Sequence, residues 1–175
     1  MSGRTKGRVH PLVTVSYWPR TASLFLIGLI VLSVHPEPES VVLPVMGVAL
    51  IWPQLAHLLG RHLPVRRAPF HVILMDGVLI GLAVGLTGFS LFASGPILLV
   101  VTGFWFLMMG GIRFLLQGLV SLAVGAGASL PMTTLNPLAE PSGWTLVLCA
   151  ILTTVAVYAA GYLVNDTTRR LVAVK

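Results

Sequence analysis

The chain has 175 residues, of which 56% are hydrophobic and only 9% charged, against roughly 25% charged in an ordinary soluble domain. So much apolar surface exceeds what a soluble fold of this length can bury, which excludes a soluble enzyme and a disordered chain. The net charge of +6 first suggests nucleic acid, but the placement of the basic residues points elsewhere.

Six apolar stretches follow one another: about 21–34, 41–60, 70–87, 90–108, 112–127 and 144–164. Most reach the roughly 17–25 residues that span a bilayer as a helix. Tyr17, Trp18 and Leu130 extend the two short ones. The runs are continuously apolar, unlike the alternating strands of a membrane barrel. The expected fold is all-α: an integral membrane six-helix bundle, up-and-down. Residues 1–20 form a basic N-terminus, 21–164 the transmembrane domain, and 165–175 the start of a linker or stalk helix.

The connections sort by charge. Arg4, Lys6, Arg8, Arg20, Arg61, Arg66, Arg67, Arg113, Arg169, Arg170 and Lys175 are the whole basic set, and all fall on one side of a six-span layout. The loops 35–40, 88–95 and 128–143 on the other side hold no Lys or Arg, but do hold Glu37, Glu39 and Glu140. The positive-inside rule makes the basic side cytoplasmic, with both termini in. Such a chain belongs in a membrane, with the lipid bilayer as partner and no nucleic acid. The N-terminal segment lacks the pattern of a cleavable signal peptide. Cys149 is the sole cysteine and lies in the sixth span, so no intramolecular disulfide forms.

Small residues mark packing faces. Gly77, Gly81 and Gly85 repeat at four-residue spacing and stack on one side of the third helix, admitting another backbone from the same chain or a second one. Gly118, Ala123, Gly125 and Gly127 mark the fifth span, and Ala156, Ala160 and Gly161 the sixth. Gly110 and Gly111 turn the fourth helix into the fifth. Pro53 is expected to kink the second. Short connections make consecutive helices antiparallel neighbours. Tyr17, Trp18 and Trp144 read as interfacial anchors, while Trp52, Phe104, Trp105 and Phe106 read as packing residues.

Asp76 is the sole acid inside an apolar run, and an intramembrane carboxylate marks a functional candidate. A hairpin centred near Val65 puts Gln54 level with Asp76 and His57 one turn nearer the cytoplasm. Arg113 can reach inward from the fifth helix. These four form the candidate polar cluster, with His71 at its rim. It acts either as a structural ion pair or as a protonation-sensitive switch; the ligand spacing for a metal is poor. There is no Walker A sequence, no H-E-x-x-H, no G-x-S-x-G and no Cys/His array, so neither catalysis nor a cofactor is expected within these residues. No repeat relates residues 1–87 to 88–175, as broken-helix transporters would show. A small transporter using Asp76, and a scaffold recruiting proteins through Arg66 and Arg67, are the competing readings.

Three segments carry a resemblance. Ile51-Trp52-Pro53-Gln54-Leu55-Ala56-His57-Leu58-Leu59 resembles the W-P-x-x-A motif of the second type of membrane-associated sensor domain, MASE type two. Leu74-Met75-Asp76-Gly77 is similar to a second motif, and Met109-Gly110-Gly111-Ile112-Arg113-Phe114-Leu115-Leu116-Gln117-Gly118 to the family's G-G-x-R-x-x-x-x-G. Residues 15–172 are covered in the family's order. Pro69, Phe70 and Val72 stand where the family carries polar positions. The resemblance implies a non-catalytic N-terminal membrane region of an adenylate or diguanylate cyclase. It implies a homodimer that receives a membrane signal, such as a lipid or other hydrophobic ligand, and sets the activity of a cytoplasmic output domain. Leu163, Thr167, Leu171 and Val172 then offer a short pairing face for two stalks.

Overall fold

A computed structural model describes residues 17–35, 37, 39–62, 68–109 and 112–173. These form six α-helices and one short 3₁₀ turn. In chain order they are α1 (Tyr17–Val34), α2 (Glu39–His62), α3 (Ala68–Leu86), α4 (Leu91–Met109), α5 (Ile112–Ser129), the turn Leu130–Met132, and α6 (Gly143–Ala173). Four helices are long and apolar enough to cross a membrane, with windows at Tyr17–Val34, Ser40–Leu59, Leu115–Met132 and Gly143–Tyr162. Between them α3 and α4 carry shorter apolar stretches, Phe70–Leu86 and Leu91–Gly103.

The helix boundaries follow local chemistry. A backbone in an apolar setting must satisfy its own hydrogen bonds, which favours helix, and hydroxyls such as Thr21 and Thr153 turn back onto carbonyls of their own helices, Tyr17 O and Cys149 O (both 2.8 Å). α2 continues through Pro44 and Pro53. Pro53 is fully buried. α3 ends on a glycine-terminated motif: Gly88 N–H donates to Gly85 O (2.8 Å) and Phe89 N–H to Val84 O (3.4 Å). Gly88 supplies the positive φ of 67° that this ending requires. Phe89 follows at φ 57°, an arrangement costing of order 1–3 kcal/mol that neighbouring contacts must offset. Ser142 caps α6, its Oγ accepting from Thr145 N–H at 3.2 Å.

One core is shared by all six helices. It contains Leu24, Ile27 and Ile30 of α1, Trp52 and Ala56 of α2, Val72, Ile73, Ile80 and Val84 of α3, Ala93, Ile97, Val100 and Val101 of α4, Leu122 of α5, and Cys149 and Leu152 of α6. Cys149 is buried, with its thiol 3.7 Å from Phe92 O.

Adjacency in the fold departs from chain order. The most extensive helix pair is α3 with α5, and α1 packs against both α2 and α6. Consecutive helices α3 and α4 meet only slightly. The expectation of consecutive neighbours holds for α1 with α2 and for α4 with α5, and is corrected for α3, whose main partner is α5. Short connections limit how far apart two helix ends lie, but the closest backbone approach goes where small residues meet small residues. Those residues are on α3 and α5.

Candidate functional site

α3 presents two different faces. On the first, the Cβ positions of its glycines run straight into α5. A Cβ on Gly77 would fall on the Ser121 hydroxyl, one on Gly81 on the Leu122 carbonyl oxygen, and one on Gly85 on the Ser129 hydroxyl. Reciprocally, a Cβ on Gly125 would fall on the Val78 carbonyl oxygen. The numbers rise together along both helices, so α3 and α5 run parallel. Ser121, Gly125 and Ser129 repeat at the same four-residue spacing as Gly77, Gly81 and Gly85, which is why the stripes mesh. Each serine hydroxyl turns back onto its own helix, Ser121 donating to Gly118 O (2.8 Å) and Ser129 to Ala126 O (2.7 Å). That satisfies the hydroxyl and leaves a small, smooth surface for the glycines.

The partner of the glycine stripe is thus in the same chain, and this face is closed to a second copy. Gly118 also belongs to it, its carbonyl lying 3.1 Å from a Cβ placed on Gly77. Ala123 and Gly127 point elsewhere: both are exposed, and Gly127 has no atom within 4 Å of a Cβ position. The serines were missed in the sequence because they are polar, although small size was the property that mattered. Gly110 and Gly111 lie outside the described residues.

The second face of α3 carries Asp76, and here the structure brings together a different set from the expected one. Arg20 Nε donates to Asp76 Oδ2 at 2.9 Å, and Trp52 Nε1–H donates to Asp76 Oδ1 at 2.6 Å. The Arg20 and Asp76 side chains are only 11% and 9% exposed. Each carboxylate oxygen has a partner, so the charge is both balanced and hydrogen-bonded, the condition for keeping an ion pair out of water. One carboxylate thereby joins three helices: α1 through Arg20, α2 through Trp52, and α3 itself.

Of the four residues expected in this cluster, Asp76 alone is at its centre. Gln54 is exposed, because it lies two residues from Trp52 and about 200° around the helix from it. The hairpin arithmetic matched its depth but not its face. His57 packs edge-on against Tyr17 of α1, with ring centroids 5.4 Å apart, and its Nδ1 is enclosed without a hydrogen-bond partner. His71 is exposed and stacks edge-on with Phe70. The side chains of Arg113, Phe104, Trp105 and Phe106 lie outside the described residues. Arg20 went unrecognised because sequence placed it with the basic terminus. Its signal was position: α1 begins at Tyr17, so Arg20 already stands one residue short of a full turn inside the helix. Trp52 went unrecognised because an aromatic next to a proline reads as packing, although its indole N–H needs an acceptor when buried.

Among the described residues no group of three or more His, Cys, Asp or Glu side chains could hold a metal.

At the opposite end of the bundle a second polar layer joins α1 to α6. The Ser33 and Thr145 hydroxyls lie 2.9 Å apart, as do those of Thr145 and Ser142. The Thr87 and Ser94 hydroxyls, also 2.9 Å apart, join α3 to α4.

No curated protein and no solved structure significantly matches the chain. Among protein families, residues 16–99 match the MASE2 domain. The matched segment contains Arg20, Trp52 and Asp76, and two of the three motifs noted above; the third, at 109–118, lies beyond it. The part of the chain from the start of α1 into α4 is thus similar to the MASE2 domain, over a little less than half of the sequence.

Proposed function

We propose that this chain is the membrane-embedded sensing part of a signalling protein: six spans, both termini cytoplasmic in a bacterial inner membrane, acting as a homodimer on a cytoplasmic nucleotide cyclase domain. The observation that carries this reading is the length of α6. It is 31 residues long, about 46 Å at 1.5 Å rise per residue, against a hydrocarbon core of about 30 Å. Its apolar window ends at Tyr162, yet the helix continues to Ala173. A rigid rod that begins at the far end of the bundle and leaves the membrane at the basic end suits transmission to an output domain.

The Asp76 junction supplies a place where a signal acts. Asp76 holds α1 through Arg20, and α1 packs along α6. Loosening or tightening that junction shifts α1 and therefore the rod. A stimulus works in this way only if it binds the two packings with different affinity. With the α3 glycine face already occupied by α5, two copies meet through other surfaces, and the stalk positions Leu163, Thr167, Leu171 and Val172 are the proposed meeting line. Transport through Asp76 is disfavoured, since both carboxylate oxygens are already engaged.

The test is a fusion of residues 1–175 to a cyclase catalytic domain, assayed for cyclic nucleotide in membranes. Asp76→Asn and Arg20→Met are expected to change output several-fold at unchanged membrane content. Output indifferent to both, and equally indifferent to a rotation of the stalk by inserted residues after Ala173, would sink the reading.

A further inference from the structure

The connection from α5 to α6, residues 130–142, is tied down rather than loose. Asn136 N–H donates to Gly88 O (2.9 Å), Leu91 N–H to Pro137 O (3.0 Å), and Ala139 N–H to Asn136 O (3.2 Å). Ser90 Oγ reaches Ala139 O at 3.4 Å. The first two bonds serve the α3–α4 turn directly: one satisfies the carbonyl of the positive-φ glycine, the other an orphan amide in the first turn of α4. Three of the strap's backbone polar groups, Asn136 N–H, Pro137 O and Ala139 O, therefore face the turn.

Its large apolar side chains are left exposed. Met132 is 74% exposed, Leu135 66% and Leu138 75%, at every third position. In water each such side chain forgoes about 1.5–3 kcal/mol available on burial. A patch held open by fixed backbone bonds marks a contact surface. Its surroundings identify the occupant. The strap starts within one membrane-spanning window, which ends at Met132, and finishes where the next begins, at Gly143. The exposed Trp144 follows at once, the residue type enriched where a bilayer meets water. Glu140 is the strap's sole charged residue.

We infer that the strap 130–142 lies in the bilayer, with Met132, Leu135 and Leu138 set into the lipid interface at the end opposite the basic termini. The patch continues the lipid-facing surface of α5 and α6 across the top of the bundle. It is also wired to α3 through Gly88, the residue that ends the helix bearing Asp76. The inference needs a membrane-embedded chain but no output domain, so it stands or falls apart from cyclase control.

Spin labels decide it. In a Cys149→Ser background, nitroxides are attached after Leu135→Cys, Leu138→Cys, Glu140→Cys or Val120→Cys, the last on the exposed face of α5. The proteins are placed in nanodiscs of phosphatidylcholine and phosphatidylglycerol. Collision with oxygen is compared with collision with a water-soluble nickel chelate. The oxygen-to-nickel ratio at 135 and 138 is expected to be several-fold above that at 140 and to approach that at 120. Ratios at 135 and 138 equal to that at 140 would place the strap in water and overturn the inference. So would exclusion of both reagents, which would mean a protein cover such as a second copy. A second variant, Leu135→Ser with Leu138→Ser, is expected to move a label placed after Met132→Cys toward the nickel reagent; an unmoved label would also overturn it.

Discussion

The two faces of α3 hold the same helix by opposite means. Toward α1 and α2 the contact is one carboxylate with two donors, Arg20 and Trp52. Toward α5 it is the near absence of side chains, Gly77, Gly81 and Gly85 against Ser121, Gly125 and Ser129. The polar face is strong at one point and specific in partner. The glycine face is spread along the helix and depends on backbone proximity. In a bilayer, where lipid is as apolar as leucine, these are the two main sources of helix attraction. A junction resting on one hydrogen-bonded group is broken by a change at a single point, whereas a meshed stripe is not. Under the proposed function, movement belongs to the α1–α2 side and rigidity to the α3–α5 pair.

The largest expected effect breaks the polar face. Asp76→Ala leaves Arg20 enclosed without its counter-charge and is expected to destabilise by about 3–5 kcal/mol, read from unfolding in mixed micelles. Pairing it with Arg20→Met should recover much of the loss, because an enclosed apolar pair carries no unmatched charge. A double variant worse than Asp76→Ala alone would mean that the ion pair is not the joint.

Next comes the glycine face. Gly81→Ala drives a methyl group into the Leu122 carbonyl, and neither backbone can yield without separating the helices. A loss of about 3 kcal/mol is expected, at the upper end for overpacking. At Gly77 the obstacle is a side chain, so Gly77→Ala should be rescued by Ser121→Gly. Failure of that rescue would show that the stripe is not the contact. Trp52→Phe removes one charge-assisted hydrogen bond to Asp76 and should cost about 2 kcal/mol. The same change should alter output in the cyclase fusion more than its stability loss alone, since it loosens α2 from the junction. The smallest effect is the control: Gly127→Ala meets open space and should stabilise α5 by up to about 1 kcal/mol through helix propensity. Loss of stability there would show that Gly127 packs against a further chain.

Much of this architecture is legible in the amino-acid sequence. The six helices fall within a few residues of the apolar runs, except that α6 continues to Ala173, past the end of its run. Asp76 stands out through its isolation in an apolar stretch. Its partners do not. Arg20 is separated from it by 56 positions and Trp52 by 24, and depth arithmetic favours Gln54, which sits at the right level on the wrong side of α2.

Composition and periodicity alone set the six helices of the described residues, the stripe on α3 and the presence of a buried carboxylate. Each follows from local physics: a backbone in lipid must satisfy itself, four-residue spacing stacks on one face, and a lone acid in an apolar run stands out. Which helix filled the stripe and which donors met the carboxylate emerged only from packing. Those choices depend on rotation about each helix axis and on shape matching between distant segments. A one-dimensional pattern carries depth along a helix far better than it carries azimuth around it.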